Sequence, residues 1–372
     1  MHPDTPEPMA EAVISLANLR HNARLVRKKA GVPLMAVVKA NAYGHGATEV
    51  ARALEEEGVS HFGVANIREA LELRRGGGLE PSASVLAFSS PLPSQIPHYL
   101  EHDIEMTLCG ISNLRAAEES ASAAGRTIGV QLKVDTGMGR LGLPPEEALQ
   151  VLCELPRCPH VELRGIYTHF ADSTGERAFT RRQLEAFTAF CREYEHASGR
   201  TVLKHAANSG AILSEPGATL DMVRPGILLY GARPSAESEE TLGLRPVMQL
   251  EARVVFLKTV RAGTTISYGR TWSAPGTRRI ATIAAGYADG YHRALSGRGT
   301  VAINGRPYPQ VGTVTMDQIM VDLGEESDVR IGDRAVLFGA GGMSVDQLAD
   351  RAGTISYELL CAVSGRVKRV FR

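Results

Sequence analysis

Lys39 closes the apolar run "LMAVVKA" (34–40), and the chain then turns small, polar and glycine-rich in "NAYGHG". Lysine is seldom buried without a partner. An amine held in an apolar setting has a lowered pKa, so its nucleophilic form is available for an imine with a carbonyl compound. Other groups able to do chemistry follow at wide spacing: Lys133 and Arg140 in "LKVDTGMGRLG", His169 in "GIYTHFA", Asn208 and Ser209 in "HAANSGA", and Arg224 and Gly226 in "MVRPGILLYG". Each has a plainer reading by itself. Lys39 could lay its stem along apolar surface with its amine in water, His169 could be a hydrogen-bonded core residue, and Arg224 before Pro-Gly could sit in a surface turn. What decides between these readings is whether the fold brings the residues together.

The elements between them suggest that it does. From about residue 34 to 230, short Val/Ile/Leu-rich runs alternate with amphipathic, charge-bearing stretches such as "ATEVARALEEEG" and "SNLRAAEESASAAG". Near-continuous apolar strands alternating with helices predict a parallel sheet buried on both faces. Eight such units predict an α/β fold with an N-terminal (β/α)8 TIM-type barrel, whose functional groups gather at the carboxyl ends of the strands. On this reading Lys39 ends the first strand, Lys133 and Arg140 flank the end of the fifth, and His169 ends the sixth. Asn208 and Ser209 end the seventh, and Arg224 and Gly226 lie around the eighth. The stretches after strands seven and eight offer a hydroxyl, backbone N–H groups at a helix start and a glycine for close approach, which suits a phosphate. A lysine imine beside a phosphate site points to pyridoxal 5'-phosphate. Beyond the polar stretch 233–246, runs such as "MQLEARVVFLKTV", "RRIATIAAG" and "DRAVLF" are separated by Gly, Pro and Asp signals, which predicts a mainly β domain. The expected division is 1–245 for the barrel and 246–372 for the C-terminal domain, with a strand at about 11–15 that could join the latter.

Nine motifs in order, those above together with "VVKANAYGHG", "ISYGRTW", "GYADGY", "VTMDQIMVD" and "TISYELLC", give the chain a close resemblance to the alanine racemases, fold-type III enzymes that use pyridoxal phosphate. The resemblance covers essentially the whole chain. It implies that Lys39 carries the cofactor and is one of two catalytic bases, Tyr268 being the other, with His169, Arg224 and Lys133 in support. Two dissimilar bases on opposite faces of a planar carbanion are what racemisation requires. It implies further that Arg224 faces the pyridine nitrogen, as a donor that cannot give up its proton. Arg140 is implied to contact the substrate carboxylate and the cofactor's phenolic oxygen, and Lys133 matches a lysine often carbamylated in the family. Tyr43, Ser209, Gly226, Ile227 and Tyr357 correspond to residues around the phosphate, with Asn208 beside them. Met316 and Asp317 correspond to substrate-side residues from a second subunit, and Tyr287 to a tyrosine of the access channel. The implied protein is a homodimer with shared active sites that interconverts L-alanine and D-alanine and supplies D-alanine for peptidoglycan. Departures are small: Thr315 and Lys368 stand where the family more often has other residues.

Composition agrees with that reading. Lys plus Arg equal Asp plus Glu at 41 each, so no global field draws the chain to nucleic acid or to an anionic membrane. The five cysteines show no metal-type spacing and are expected to be reduced thiols, with no metal site. The opening "MHPDTPEPMAEAV" has no basic segment before an apolar one, and no run is long enough to span a bilayer, so a cytoplasmic location is expected. The alternatives are a racemase of the same family with broader or different specificity (serine, lysine, arginine), a decarboxylase or aldolase on the same barrel, and a non-catalytic pyridoxal-phosphate carrier. A decarboxylase would set an acid opposite the pyridine where this chain has Arg224, and a carrier would lack the second domain.

Overall fold

The computed structural model describes residues 7–236, 238 and 242–372, so part of the 233–246 stretch lies outside the described residues. A first strand, β1 (Ala10–Ile14), leads into the helix Leu16–Ala30. That helix begins where the Ser15 side chain accepts the Asn18 N–H at 3.2 Å and ends at Gly31, left-handed at φ 69°. Eight parallel strands follow: β2 (Met35–Val37), β3 (His61–Val64), β4 (Ser84–Ala87), β5 (Glu105–Leu108), β6 (Ile128–Lys133), β7 (Val161–Tyr167), β8 (Leu203–Asn208) and β9 (Met222–Arg224). Each pairs with the next in order. The sheet closes where the Val37 N–H donates to Pro225 O at 3.0 Å and the Val223 N–H to Pro33 O at 3.1 Å. Strands β2, β5 and β6 are buried at every residue, as a sheet walled by helices requires.

The C-terminal domain is antiparallel. It contains β10 (Met248–Val260), the small ribbon β11 (Thr265–Ile266) and β12 (Trp272–Ser273), then β13 (Arg278–Ile283), β14 (Thr300–Ile303), β15 (Arg306–Val311), β16 (Ile319–Asp322), β17 (Arg334–Phe338) and β18 (Lys368–Phe371). The larger sheet runs β13-β16-β15-β14-β17-β10-β1-β18, and β13 also pairs with β10, which closes much of the array. Long β10 serves both ends of it, changing register between Val254 and Phe256. The first strand of the chain therefore pairs with the C-terminal domain: β1 lies antiparallel to β10 and parallel to β18. Its alternating burial, unlike that of the barrel strands, fits a sheet covered on one side. Two helices in the C-terminal region, Val345–Ala352 and Ser356–Cys361, carry Tyr357 back toward the barrel, where its ring lies 5.8 Å from that of Tyr43.

Candidate active site

A cavity of about 530 Å³ opens at the carboxyl end of the barrel strands. Eleven of the residues singled out from sequence line it. Lys39 and Tyr43 follow β2, while Lys133 ends β6 and Arg140 stands in the loop beyond. His169 follows β7, Asn208 and Ser209 stand at the end of β8, and Arg224, Gly226 and Ile227 at the end of β9; Tyr357 enters from the C-terminal domain. The four other sequence candidates, Tyr268, Tyr287, Met316 and Asp317, are not among the lining residues.

Lys39 does not end its strand as the sequence suggests. β2 stops at Val37, and Lys39 opens a turn in which Ala40, Asn41, Ala42 and Tyr43 all have φ of 53–54°. The left-handed conformation costs an L-residue roughly 1–2 kcal/mol, so four in succession cost about 4–8 kcal/mol. Local bonds offset part of this. The Ala42 N–H donates to Val38 O at 2.8 Å and the Gly44 N–H to Ala40 O at 2.9 Å. The Ala47 N–H donates to Asn41 Oδ1 at 2.8 Å, and the His45 ring donates through Nδ1 toward Ala42 O and Tyr43 O at 2.9 and 3.0 Å. Gly44 must be glycine, because a Cβ there would stand 2.3 Å from Leu360 O. The turn leaves both Lys39 and Tyr43 lining the cavity.

Lys39, Lys133, Arg140 and Arg224 are all lining residues, and no carboxylate is among them. Burial lowers the Lys39 amine below its ordinary pKa, and Arg140 lowers it further. Burial, then Arg224, brings Lys133 down to about 8. His169 is held well below the usual imidazole range by burial and then by Arg224, Arg140 and Lys133, so it is neutral. Arg224 is 3 % exposed, and burial takes its guanidinium down to about 10. Its side-chain partners are neutral: it donates to His205 Nδ1 at 2.7 Å, to Thr168 O at 2.7 Å, to Ala206 O at 3.0 Å and toward His169 Nδ1 at 3.4 Å. A guanidinium only donates, so His205 accepts through Nδ1 and carries its proton on Nε2, which donates to Gln131 Oε1 at 2.5 Å. The Gln131 amide donates in turn to the buried carboxylate of Glu105. Four cations without a carboxylate among them suit a doubly charged anion together with a carboxylate substrate.

At the other end of the cavity Ser209 Oγ accepts the Gly226 N–H at 2.9 Å, leaving the hydroxyl proton free for an anion. A Cβ at Gly226 would lie 2.4 Å from the Tyr43 hydroxyl, so only glycine leaves this space open. Asn208 Oδ1 accepts from Ser173 Oγ at 2.8 Å and from the Ala211 N–H at 3.0 Å, which caps the helix Ser209–Ser214 and fixes Ser209 at its first position. These residues fit pyridoxal phosphate: hydroxyls of Tyr43, Ser209 and Tyr357 for the phosphate, Arg224 as donor for a ring nitrogen, and the Lys39 amine in the same cavity.

The remaining candidates form a second group on the surface of the C-terminal domain. Tyr268 is 73 % exposed, Met316 53 % and Tyr287 41 %. They share one scaffold. Thr313 Oγ1 donates to Tyr268 O at 2.7 Å, the Tyr287 N–H to Thr315 O at 3.0 Å and the Ala288 N–H to Met316 O at 3.0 Å. Asp317 is held by Arg366 at 2.8 Å, and the same guanidinium grips the buried carboxylate of Asp289 at 2.7 and 2.9 Å.

Comparison with known proteins decides the family. Residues 14–234 match the model of the alanine racemase N-terminal domain and residues 247–371 that of the C-terminal domain. The chain belongs to the alanine racemase family. It is 58 % identical to the alanine racemase of Chlorobaculum tepidum over 97 % of this chain and 95 % of that one. It is 42 % identical to that of Desulforamulus reducens over 97 % and 98 %. Among solved structures, alanine racemase from Clostridium difficile 630 superposes with a TM-score of 0.93 at 35 % identity, covering 99 % of this chain and 97 % of that one. The enzyme from a D-cycloserine-producing Streptomyces lavendulae superposes with a TM-score of 0.91 at 37 % identity, covering 99 % and 98 %.

Sequence reading within the family missed several cavity residues. Tyr167 is the most consequential, since its ring stacks on His205 at 5.0 Å, 2° from parallel, and lies beneath both Arg224 and Lys133 at 5.4 and 5.5 Å. A usable signal was present: Tyr167 is two residues before His169, the side-chain period of a strand. His205, bonded to Arg224 and stacked on Tyr167, stands outside the lining, and its place in "HAANSGA" carries no sign of that role. Phe88, Ser89 and Ser90, just beyond β4, also line the cavity, and no residue type marked them in advance.

Proposed function

We propose that this protein is a pyridoxal-phosphate-dependent alanine racemase that works as a homodimer, each site combining the barrel cavity of one copy with the exposed tyrosine patch of the other. The reading is carried by Lys39, set among Lys133, Arg140 and Arg224 in a cavity whose lining includes no carboxylate. Pyridoxal phosphate bound there supplies an electron-accepting ring system that makes the substrate Cα proton removable.

The chain's own residues do the rest. Tyr43, Ser209 and Tyr357 offer hydroxyls to the phosphate, beside the space left by Gly226 and Ile227, with Asn208 fixing Ser209. Arg224 would stand as donor to the ring nitrogen of the bound cofactor and, keeping its own proton, would limit how strongly negative charge is drawn from Cα. Arg140 holds the substrate carboxylate and the phenolic oxygen. Lys39 Nζ moves the proton on one face of Cα. Tyr268 Oη is exposed and not in its own chain's cavity, so we assign the other face to Tyr268 of a second copy, accompanied by that copy's Tyr287, Met316 and Asp317. Lys133, with an amine near 8, has enough neutral form at physiological pH to add carbon dioxide. An N–C bond forms, the amine loses one proton, and the carbamate anion then braces Arg140. His169 and Arg224 supply hydrogen bonds around this centre.

A cytoplasmic location and supply of D-alanine for peptidoglycan go with this activity. Among the described residues no helix is long and apolar enough to cross a membrane. The test is a racemisation assay on a panel of L-amino acids, with and without added pyridoxal phosphate. Alanine is expected to be turned over fastest and only with the cofactor; preference for serine, lysine or arginine would shift the assignment to a racemase of other specificity.

A further inference from the structure

The left-handed turn after Lys39 has one restraint that belongs neither to the turn nor to the cavity lining. Glu69 stands in the first turn of the helix Ile67–Arg75, whose N-cap Asn66 accepts the N–H groups of Arg68 and Glu69 at 3.0 and 3.3 Å. A glutamate at that third helical position usually reaches back to the N–H of the capping residue itself. Here one oxygen takes the Ala65 N–H at 2.7 Å, at the end of β3, and the other takes the Ala40 N–H at 2.9 Å, across the sheet. A single half-buried carboxylate thus joins the backbone beside Lys39 to the neighbouring barrel strand.

We propose that Glu69 is a positioning residue for Lys39: its two-oxygen strap fixes the left-handed turn that follows the lysine, and it brings a carboxylate to the backbone beside a cavity lined by cations. This rests on the assignment of Lys39 as the cofactor lysine. The strap has geometry that no neutral side chain reproduces. Two N–H groups need two acceptor oxygens, and glutamine would set its own N–H2 against one of them. Burial lowers the Lys39 amine most, Arg140 and Arg224 lower it further, and Glu69 and Cys361 raise it; His169, which also lines the cavity, is neutral. Glu69 is the foremost of the groups that raise it. Removing its charge therefore moves Lys39 toward the free amine at lower pH, while removing one strap lets the turn relax.

The test uses Glu69→Gln and Glu69→Asp, each in cofactor-free and cofactor-loaded protein. In cofactor-free protein, hydrogen exchange across residues 38–46 is expected to speed up about tenfold or more in both variants, because at least one N–H loses its acceptor. Addition of pyridoxal phosphate at graded pH, followed by borohydride trapping, gives the midpoint for imine formation at Lys39. Glu69→Gln is expected to shift that midpoint to lower pH, and Glu69→Asp to leave it near the parent value. In loaded enzyme, kcat for alanine is expected to fall on the order of 10- to 100-fold in Glu69→Gln, with KM changing far less, as for a misplaced reacting group. Unchanged exchange in Glu69→Asp and Glu69→Gln overturns the strap. Faster exchange with an unmoved midpoint in Glu69→Gln overturns the action on Lys39. Lys39→Ala serves as control: trapping of cofactor there would overturn the lysine assignment, while leaving the exchange result intact.

Discussion

The barrel cavity and the exposed face around Tyr268 are built from similar backbone devices and end in opposite surroundings. Lys39 is followed by four left-handed residues, and Tyr268 lies between Ser267 at φ 66° and the pair Gly269 and Arg270 at φ 70° and 52°. Both regions spend backbone strain to aim one side chain. The lysine points into a closed cationic space, the tyrosine into solvent. The neutral His169 and cationic Arg224 that could assist a phenol in proton transfer line the other region. Each half therefore lacks what the other has, which is what the proposed sharing of sites between two copies would make good.

The largest expected effects test that complementarity. Lys39→Ala is expected to abolish the imine absorbance and to lower alanine turnover by about 10⁴-fold or more. Tyr268→Phe is expected to keep the absorbance, since the tyrosine does not hold the cofactor, and to lower turnover by roughly 10²–10⁴-fold. Its loss falls on one direction of proton transfer, visible as unequal solvent deuterium uptake from the two alanine enantiomers. Mixing the two inactive variants, with dissociation and reassociation, separates the arrangements. In a mixed dimer one site holds both defects and the other holds none, so recovery of about a quarter of parental activity is expected. No recovery on proven mixing would return the tyrosine to its own chain's cavity and break the comparison.

How much of this was legible in the sequence follows the same line. The barrel could be read because burial on both faces forces apolar runs, and residues dispersed over nearly two hundred positions then converge by topology alone. Conformation at the strand ends could not. Ala40–Asn41–Ala42–Tyr43 contains no glycine, and apart from Asn41 its residue types do not favour a left-handed turn, so Lys39 reads as the last residue of a strand. Tyr268 could be found only through the resemblance carried by "ISYGRTW", since a tyrosine in a β domain has no spacing that marks it as a base. The Glu69 strap was hidden for another reason: the sequence "NIRE" spells an ordinary helix start, and only the approach of Ala40 from another strand redirects the carboxylate.

The two regions should also respond differently to pH. His45 and His205 are buried in the barrel and His169 is half-buried at the cavity, all with lowered pKa values, His45 to about 4, each mainly through burial. Below about 6.5 the unfolded chain binds protons at these sites that the folded chain refuses, so stability falls as pH drops through that value. For His45 alone the loss approaches about 3 kcal/mol by pH 4. Hydrogen exchange at pH 5 is expected to show the barrel strands opening ahead of β14–β17. Lys133 gives the opposite limb. Its folded pKa of about 8 lies below the ordinary lysine value, so the penalty of burying its charge is fully present below 8 and relieved as pH rises toward about 10. In carbon-dioxide-free buffer, Lys133→Met is expected to be more stable than the parent at pH 7 by up to about 3 kcal/mol, with the gap closing toward pH 10. A gap that does not change with pH would mean that Lys133 is not a buried titrating amine.

The smallest effect is expected on the exposed side. Arg366 ties Asp317 to Asp289, and Asp289 Oδ2 accepts the Gly286 N–H at 2.8 Å, so one guanidinium links the Met316–Asp317 loop to the segment carrying Tyr287. The arginine is half-exposed but its partner Asp289 is buried, and without the guanidinium that carboxylate keeps only the Gly286 N–H, so Arg366→Ala is expected to lower global stability by about 1–3 kcal/mol. Its effect on catalysis should appear in the dimer proposed above, in which these loops would meet another copy's cavity. KM for alanine is expected to rise about 3- to 10-fold with kcat largely kept, as when substrate binding is weakened equally in ground and transition states. Cofactor affinity should not move, because no residue of this patch lines the cavity in its own chain. If cofactor affinity fell while KM held, the patch would be bracing the barrel rather than facing substrate, and the separation of the two regions would have to be redrawn.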